Sequence, residues 1–178
     1  MEIALYQPDI PQNTGTLLRL GACLGVPLHI IEPAGFALTD RRLRRAGMDY
    51  LAAAARRHHD DWHAFLGWAH AHGRRIVLLT TKTRRSYLDL TYLKGDVLLL
   101  GQESAGVPQT VAAAVDARVC IPMRAGARSL NVAVSAAMAT GEALRQLEAF
   151  PAFGSKGEGK GDECDRLGPE GEQCGSDG

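Results

Sequence analysis

Residues 96–108 of this 178-residue chain read Asp96-Val97-Leu98-Leu99-Leu100-Gly101-Gln102-Glu103-Ser104-Ala105-Gly106-Val107-Pro108. The apolar run at the start predicts a buried strand, and the glycines and proline after it predict a loop. Similar short runs predict further strands at Glu2–Tyr6, Leu28–Ile31, Arg75–Thr80 and Arg118–Ile121. Helical patterns separate these runs, so the sequence predicts an α/β fold with a mostly parallel sheet and helices on both faces.

Three of the helical patterns are long enough to be informative. They reach about Leu24, cover Asp61–His72 and cover Leu130–Leu147. Asn13 or Thr14 is expected to cap the first helix. The last helix is rich in alanine, and its larger side chains, Val134, Met138 and Leu144, are expected in the core.

Composition limits the class of protein. The 20 Lys and Arg residues balance the 20 Asp and Glu residues, and 46% of the chain is apolar, which is enough for a packed core. No apolar run is long enough for a transmembrane helix, so no membrane partner is expected, and the N-terminus has no signal-peptide pattern, so we expect a cytoplasmic protein. Four scattered cysteines do not make a disulfide framework. His58, His59 and His63 lack further ligand spacing, so we expect surface histidines and no metal.

The last part of the chain differs from the rest. Residues 151–178 hold 3 basic and 7 acidic residues and 8 of the 20 glycines, with almost no aliphatic side chains. Such a segment buries too little apolar surface to offset the entropy lost on ordering. We therefore expect one folded domain over residues 1–152 and a disordered, Gly-rich acidic tail over residues 153–178.

Polar and glycine-rich segments follow four of the predicted strands. In α/β sheets, ligands bind where loops leave the carboxyl ends of strands, so these loops predict a binding site. The dinucleotide fingerprint, the P-loop, the zinc-protease motif and the nucleophile elbow are all absent. These absences argue against a dehydrogenase, an NTPase, a zinc protease and a serine hydrolase.

Three motifs in these loops carry a family resemblance. They are Asn13-Thr14-Gly15 with Arg19, Leu100-Gly101-Gln102-Glu103 with Gly106-Val107-Pro108, and Ile121-Pro122-Met123 with Ser129-Leu130-Asn131-Val132. In order and spacing they resemble the motifs of the SPOUT RNA methyltransferases. The segments at residues 5–13, 29–33 and 42–50 narrow the resemblance to the small tRNA (cytidine(34)-2′-O)-methyltransferases. The resemblance covers roughly residues 1–150.

The resemblance implies a fold and a ligand that residue patterns alone do not predict. It implies a deep trefoil knot near the C-terminus, an exception to the rule of unknotted topology. It also implies a homodimer with the active site near the subunit interface, and S-adenosylmethionine bound by the knot loops with S-adenosylhomocysteine as product. By position, the residues expected to contact this cofactor are Leu79, Gly101, Ile121, Met123, Ser129 and Leu130.

The resemblance also assigns catalytic and RNA-binding residues. Arg19 is expected to be essential, either as the base or as a group that stabilises the developing alkoxide or fixes the adjacent phosphate. Arginine is a poor base because its pKa is above ~12. Asn13 and Glu103 are expected to position Arg19 or the ribose. Residues expected to contact the substrate RNA are Asn131 and the basic group Arg41, Arg42, Arg44 and Arg45.

The implied activity is S-adenosylmethionine-dependent 2′-O-methylation of the wobble nucleotide, C34 or a modified U34, in leucine tRNAs, with binding of the anticodon stem-loop. Two alternatives stay open: methylation of another tRNA or rRNA position, and a non-catalytic RNA-binding knot dimer. The short body argues against the rRNA enzymes, which usually carry an extra RNA-binding domain. The intact residues Asn13, Arg19, Glu103 and Ser129 argue against a loss of catalysis.

Overall fold

The computed structural model describes residues 1–37 and 55–152. Their strands form one six-stranded sheet in the order β3-β2-β1-β5-β4-β6. The strands are β1 (Glu2–Tyr6), β2 (Leu28–Ile31), β3 (Arg56–His59), β4 (Arg75–Leu79), β5 (Asp96–Leu100) and β6 (Ala117–Val119). All five neighbouring pairs are parallel, which confirms the predicted parallel sheet.

Helices cover both faces of the sheet, as predicted. They are α1 (Pro11–Leu24), α2 (Trp62–Ala71), α3 (Gln109–Ala113) and α4 (Val132–Gln146), with a 3-10 turn at Tyr87–Asp89. Alternate side chains of β1, β4 and β5 point to opposite faces. One face packs with α1 and α4 around Leu17, Leu18 and Leu144, and the other packs with α2 and α3 around Phe65 and Val111.

The start of α1 differs from the prediction. The helix begins at Pro11, and the capping residue is Ile10, which provides no side-chain hydrogen bond. Proline fits the first helical position because it has no amide hydrogen to satisfy and a preset φ. Asn13 and Thr14 therefore lie inside the helix, and the prediction that either caps it is wrong. This frees the Asn13 side chain to contact another loop.

The buried face of α4 also differs from the prediction. Leu144 is buried as expected, but Val134 is 51% exposed and Met138 is 38% exposed. The core is instead filled by alanines, namely Ala133, Ala136, Ala139 and Ala143. Small side chains let a helix lie close to its neighbours, so the larger side chains of α4 are left on its outer face.

The edge strand β3 was not predicted, because Arg56-Arg57-His58-His59 has no apolar run. Three of its residues are exposed and only His59 is buried. His58 and His63 are exposed as expected, but the prediction of a surface histidine is wrong for His59. Its Nε2 lies 2.9 Å from Nδ1 of the buried His29, whose Nε2 lies 2.5 Å from Glu2 Oε2. Parallel pairing with β2 carries His59 into the aromatic layer beside Phe65.

Some predictions fall on residues outside the described ranges. These are the basic group Arg41, Arg42, Arg44 and Arg45, and the acidic tail over residues 153–178. Within residues 1–37 and 55–152, the helices are too short or too polar to span a bilayer.

The burial of His59 makes the stability of the protein depend on pH. Burial, together with the nearby His29 and Arg57, lowers the pKa of His59 from 6.5 to about 4. As the pH falls below 6.5, the unfolded chain takes up a proton that the folded chain refuses until about pH 4. The free energy of unfolding should therefore decrease over this interval.

Denaturant unfolding between pH 7.5 and 4.5 measures this effect. We expect His59→Gln to reduce the pH slope of the unfolding free energy by up to about one proton. The matched variant His63→Gln changes an exposed histidine of the same region and should leave the slope unchanged. An unchanged slope in His59→Gln would show that another group controls the acid sensitivity.

Candidate active site

A cavity of about 770 Å³ lies at the carboxyl ends of β4, β5 and β6. All strands of the sheet run in the same direction, so the loops that leave β1, β4, β5 and β6 meet at one edge. The start of α4 closes the side of the cavity. This is the position at which parallel sheets usually bind their ligands.

The loop after β5 forms one wall of the cavity through its backbone. The amides and carbonyls of Gln102 and Gly106 exchange two hydrogen bonds of 2.9 Å. Gly106 has a φ of 70°, in the left-handed region that favours glycine. A Cβ on Gly101 would lie 2.5 Å from the carbonyl carbon of Gly106. The loop can therefore close this tightly only with glycine at position 101.

The residues predicted to bind the cofactor all line this cavity. Their side chains or backbones come from the ends of β4 and β5, the loop after β6 and the turn before α4. They are Leu79, Gly101, Ile121, Met123, Ser129 and Leu130. Asn13, Glu103 and Asn131 line the same cavity. The structure thus gathers residues from three separate motifs, and the sequence analysis placed them in one site.

A chain of amide and carboxyl groups connects the three motifs. Asn131 Nδ2 donates to Asn13 Oδ1 at 3.0 Å, and Asn13 Nδ2 donates to Glu103 Oε1 at 2.7 Å. Asn131 also caps α4, because its Oδ1 accepts hydrogen bonds from the amides of Ala133 and Val134. These bonds orient the Asn13 amide and direct its donor group at the carboxyl group of Glu103.

Asp9 is a residue of this site that the sequence analysis did not predict. It follows β1, and its Oδ1 accepts a hydrogen bond from the amide of Glu103 at 3.1 Å. Its Oδ2 accepts from the amide of Ser104 at 3.2 Å and from the hydroxyl of Ser104 at 2.5 Å. The available signal was its position, since a carboxylate in the loop that follows a buried strand lies at the ligand-binding edge.

The two carboxyl groups of the site have opposite pKa shifts. Burial and the neighbouring Asp9 raise the pKa of Glu103 to about 7, and the Asn13 amide opposes that rise. Burial alone would raise the pKa of Asp9, but the hydrogen bonds from Glu103 and Ser104 outweigh it and lower the pKa to about 2. Near neutral pH, Asp9 is ionised and Glu103 is partly protonated.

Arg19 does not line the cavity of its own chain. It is exposed on α1, beyond Asn13 along the helix. Two basic side chains that the motifs do not include, Lys82 after β4 and Arg118 on β6, do line the cavity. Across residues 1–37 and 55–152, no three His, Cys, Asp or Glu side chains are grouped to hold a metal ion.

Comparison with known sequences gives this site a family. The sequence pattern of the SpoU rRNA Methylase family matches residues 1–141. A tRNA (cytidine(34)-2′-O)-methyltransferase of Beijerinckia indica subsp. indica is 60% identical over 148 residues, covering 83% of this chain and 92% of that protein. The enzyme of the same name from Escherichia coli (strain K12) is 42% identical over 149 residues, covering 83% of this chain and 94% of that protein.

Solved structures show the same relationship. One solved structure has a TM-score of 0.78 and 42% sequence identity, and the match covers 83% of this chain and 95% of that chain. It is described as giving structural insights into the 2-OH methylation of C/U34 on tRNA. An AdoMet-bound rRNA methyltransferase from Sinorhizobium meliloti has a TM-score of 0.76 and 28% identity, covering 82% of this chain but 56% of that chain. By sequence and by fold, this chain belongs to the SpoU rRNA methylase family, within the SPOUT superfamily.

Proposed function

We propose that this protein methylates the 2′-oxygen of nucleotide 34, a cytidine or a modified uridine, in leucine tRNAs, with S-adenosylmethionine as methyl donor. One observation carries the proposal. Relatives named tRNA (cytidine(34)-2′-O)-methyltransferase align with this chain over 92% and 94% of their own length. The longer rRNA methyltransferase is matched over only 56% of its chain, which favours the tRNA enzymes over the rRNA enzymes.

The cavity fits S-adenosylmethionine in size and chemistry. Ligand sites of ~300–1,000 Å³ are typical, and this cavity measures about 770 Å³. Leu79, Ile121 and Leu130 supply apolar cover, and the loop closed by Gly101 and Gly106 presents backbone groups at close range. When bound, S-adenosylmethionine supplies a methyl group already activated on a sulfonium. The protein must then orient the ribose and take up its proton.

The polar network provides the orientation. Asn131 holds Asn13, and Asn13 holds Glu103, so all three groups have a defined direction before substrate binds. A group held in place in advance loses little entropy when the ribose hydroxyl arrives. We assign these residues to the positioning of the 2′-hydroxyl next to the bound cofactor.

We propose that Arg19 reaches the cavity of a second copy of the chain. Apolar side chains are exposed just before α1, just before α4 and on α4, namely Ile10, Leu130, Val134 and Met138. Two of them, Ile10 and Leu130, line the cavity. Helices α1 and α4 also pack against each other. A homodimer that covers this surface would bury the apolar side chains and bring Arg19 of one protomer to the cavity of its partner. The resemblance to the SPOUT enzymes supports this arrangement.

The contacts to RNA and the knot are also part of the proposal. The group Arg41, Arg42, Arg44 and Arg45 would hold phosphates of the anticodon stem-loop.

Two hydrogen bonds are evidence in favour of the proposed knot. The Gln146 side chain at the end of α4 bonds to the backbone of Leu90 and of Tyr92. The end of α4 therefore lies against the loop that precedes β5, as threading of the chain through that loop would require.

Mapping of the methyl group tests the reaction. We expect transfer of labelled methyl from S-adenosylmethionine to tRNA isolated from cells that lack this protein, with the 2′-O-methyl group mapped by mass spectrometry to nucleotide 34 of leucine tRNA. A methyl group at another position would contradict the wobble assignment. Cofactor binding without transfer to any tRNA would favour the non-catalytic RNA-binding dimer.

A glycine pair tests the cofactor site. Gly101→Ala adds a Cβ 2.5 Å from the backbone of Gly106, so the loop must shift. We expect at least a roughly tenfold loss of S-adenosylhomocysteine affinity by calorimetry, since a loop displaced from a preorganised site loses its contacts. The control, Gly67→Ala on α2, adds a Cβ with nothing within 4 Å and should bind normally. Equal affinities would place the cofactor elsewhere.

Mixing of inactive subunits tests the origin of Arg19. Arg19→Ala and Glu103→Ala should each abolish transfer and leave cofactor affinity nearly unchanged. If the two residues act across the dimer, random re-pairing of equal amounts of the variants should restore about a quarter of the wild-type activity, because half of the dimers then hold one intact site. A mixture that stays inactive, although mass spectrometry shows mixed dimers, would place Arg19 and Glu103 in the same subunit's site.

A further inference from the structure

The acidic side chain of Asp9 is a feature of the site to which the sequence motifs assign no role. It is half-buried between the loop that leaves β1 and the loop that leaves β5. All three of its described hydrogen bonds come from the second loop, two from Ser104 and one from the amide of Glu103. Asp9 thus joins the two loops at Glu103, whose carboxyl group lines the cavity.

The carboxyl group of Glu103 is distinctive among the groups that line the cavity. Among the described lining residues, it is the only carboxylic acid, and that set contains no histidine and no cysteine. The other ionisable side chains that line the cavity are Lys82 and Arg118, which act as hydrogen-bond donors. The guanidinium of Arg19 is likewise a donor, and the amide of Asn13 accepts protons poorly. Glu103 is therefore the side chain of the cavity that can accept a proton.

The surroundings of Glu103 suit this role. Asn13 donates to its Oε1 at 2.7 Å, which fixes the carboxyl plane. Burial, the hydrogen bond with the Asp9 carboxyl group and the Asp9 charge raise its pKa to about 7, so the group is a stronger base than an ordinary glutamate and is still ionised in part at neutral pH. Asp9 is the charged residue that raises the pKa of the Glu103 carboxyl group. Between pH 2 and pH 7 the two carboxyl groups together hold about one proton, and this proton is lost as the pH rises through 7.

We propose that Asp9 is a positioning residue which holds Glu103 as the acceptor of the proton from the ribose 2′-hydroxyl. The inference rests on the proposed function and deepens it. In the reaction, the O–H bond of the 2′-hydroxyl breaks and its proton goes to the Glu103 carboxylate. The same oxygen forms a bond to the methyl carbon as the carbon–sulfur bond breaks. The positive charge of the sulfonium and the negative charge of the carboxylate disappear together, so the step is balanced without another reactant.

Single-turnover methyl transfer measured from pH 5 to pH 9 tests this role in the intact protein. The variants are Asp9→Asn, Asp9→Glu and Glu103→Gln, and the control is Asp60→Asn, an exposed carboxylate outside the cavity. For Glu103→Gln we expect a loss of roughly a hundredfold or more and no acid limb in the profile, since general-base catalysis contributes about that much. For Asp9→Asn we expect the acid limb to move to lower pH by about one unit, because the charge that raises the pKa of Glu103 is gone.

Asp9→Glu separates charge from packing. It keeps the negative charge, so its acid limb should stay near that of the wild type even if the rate falls. A slower Asp9→Asn enzyme with an unmoved acid limb would overturn the proposal, because Asp9 would then serve the loop structure alone. Wild-type rate in Glu103→Gln would overturn it as well.

A direct titration distinguishes failure of this inference from failure of the proposed function. Carbon-13 NMR of the glutamate carboxyl groups, with the Glu103 signal assigned by its loss in Glu103→Gln, needs no tRNA. We expect a midpoint near 7 in the wild type and a lower one in Asp9→Asn. A midpoint at the ordinary glutamate value of about 4.3 would overturn the inference whether or not methyl transfer occurs. The expected midpoints with no transfer to tRNA would overturn the proton-acceptor role along with the proposed function.

Discussion

The parallel pairing of β1 with β5 is the constraint on which the site depends. It aligns Leu5 with Leu100 in the centre of the sheet, so the loops after both strands leave at the same height. Asp9 and Asn13 follow the first strand, and Glu103 follows the second. Their hydrogen bonds join residues that are 90 or more positions apart in the chain. Without this register, each loop would still fold locally, but the two would form no common wall.

Burial affects titratable groups in two separate parts of the sheet. Across β1, β2 and β3, Glu2 bonds to His29 and His29 bonds to His59, and both histidines are buried among aromatic rings. At the carboxyl ends, Asp9 and Glu103 are only half-buried, and Glu103 opens onto a cavity. Burial disfavours the charged form in both places, so it lowers the pKa of a histidine and raises that of a carboxyl group. Accessibility then decides whether the shift affects stability alone or also a reaction.

The sequence predicted the parts of this structure that short-range patterns encode. Apolar runs located five of the strands, and the motifs gathered the cavity residues from loops far apart in the chain. The pattern failed where tertiary context decides. The strand Arg56–His59 lies at a sheet edge and buries one side chain, so it carries no apolar signal. In α4, close packing against the rest of the domain places alanines in the core and leaves Val134 exposed. Asp9 lacked a motif, and Arg19 lies outside the cavity of its own chain although its motif predicts a role in catalysis.

The capping of α4 by Asn131 affects when the cavity forms during folding. One side chain starts the helix and also holds Asn13, so the order of the cavity and the order of the first turn of α4 are linked. During synthesis, a growing chain would complete β1, β4 and β5 well before Asn131 leaves the ribosome. Until then, Asn13 would lack its partner and the cavity its side wall. The docking of α4 would therefore complete the ligand-binding cavity late in folding.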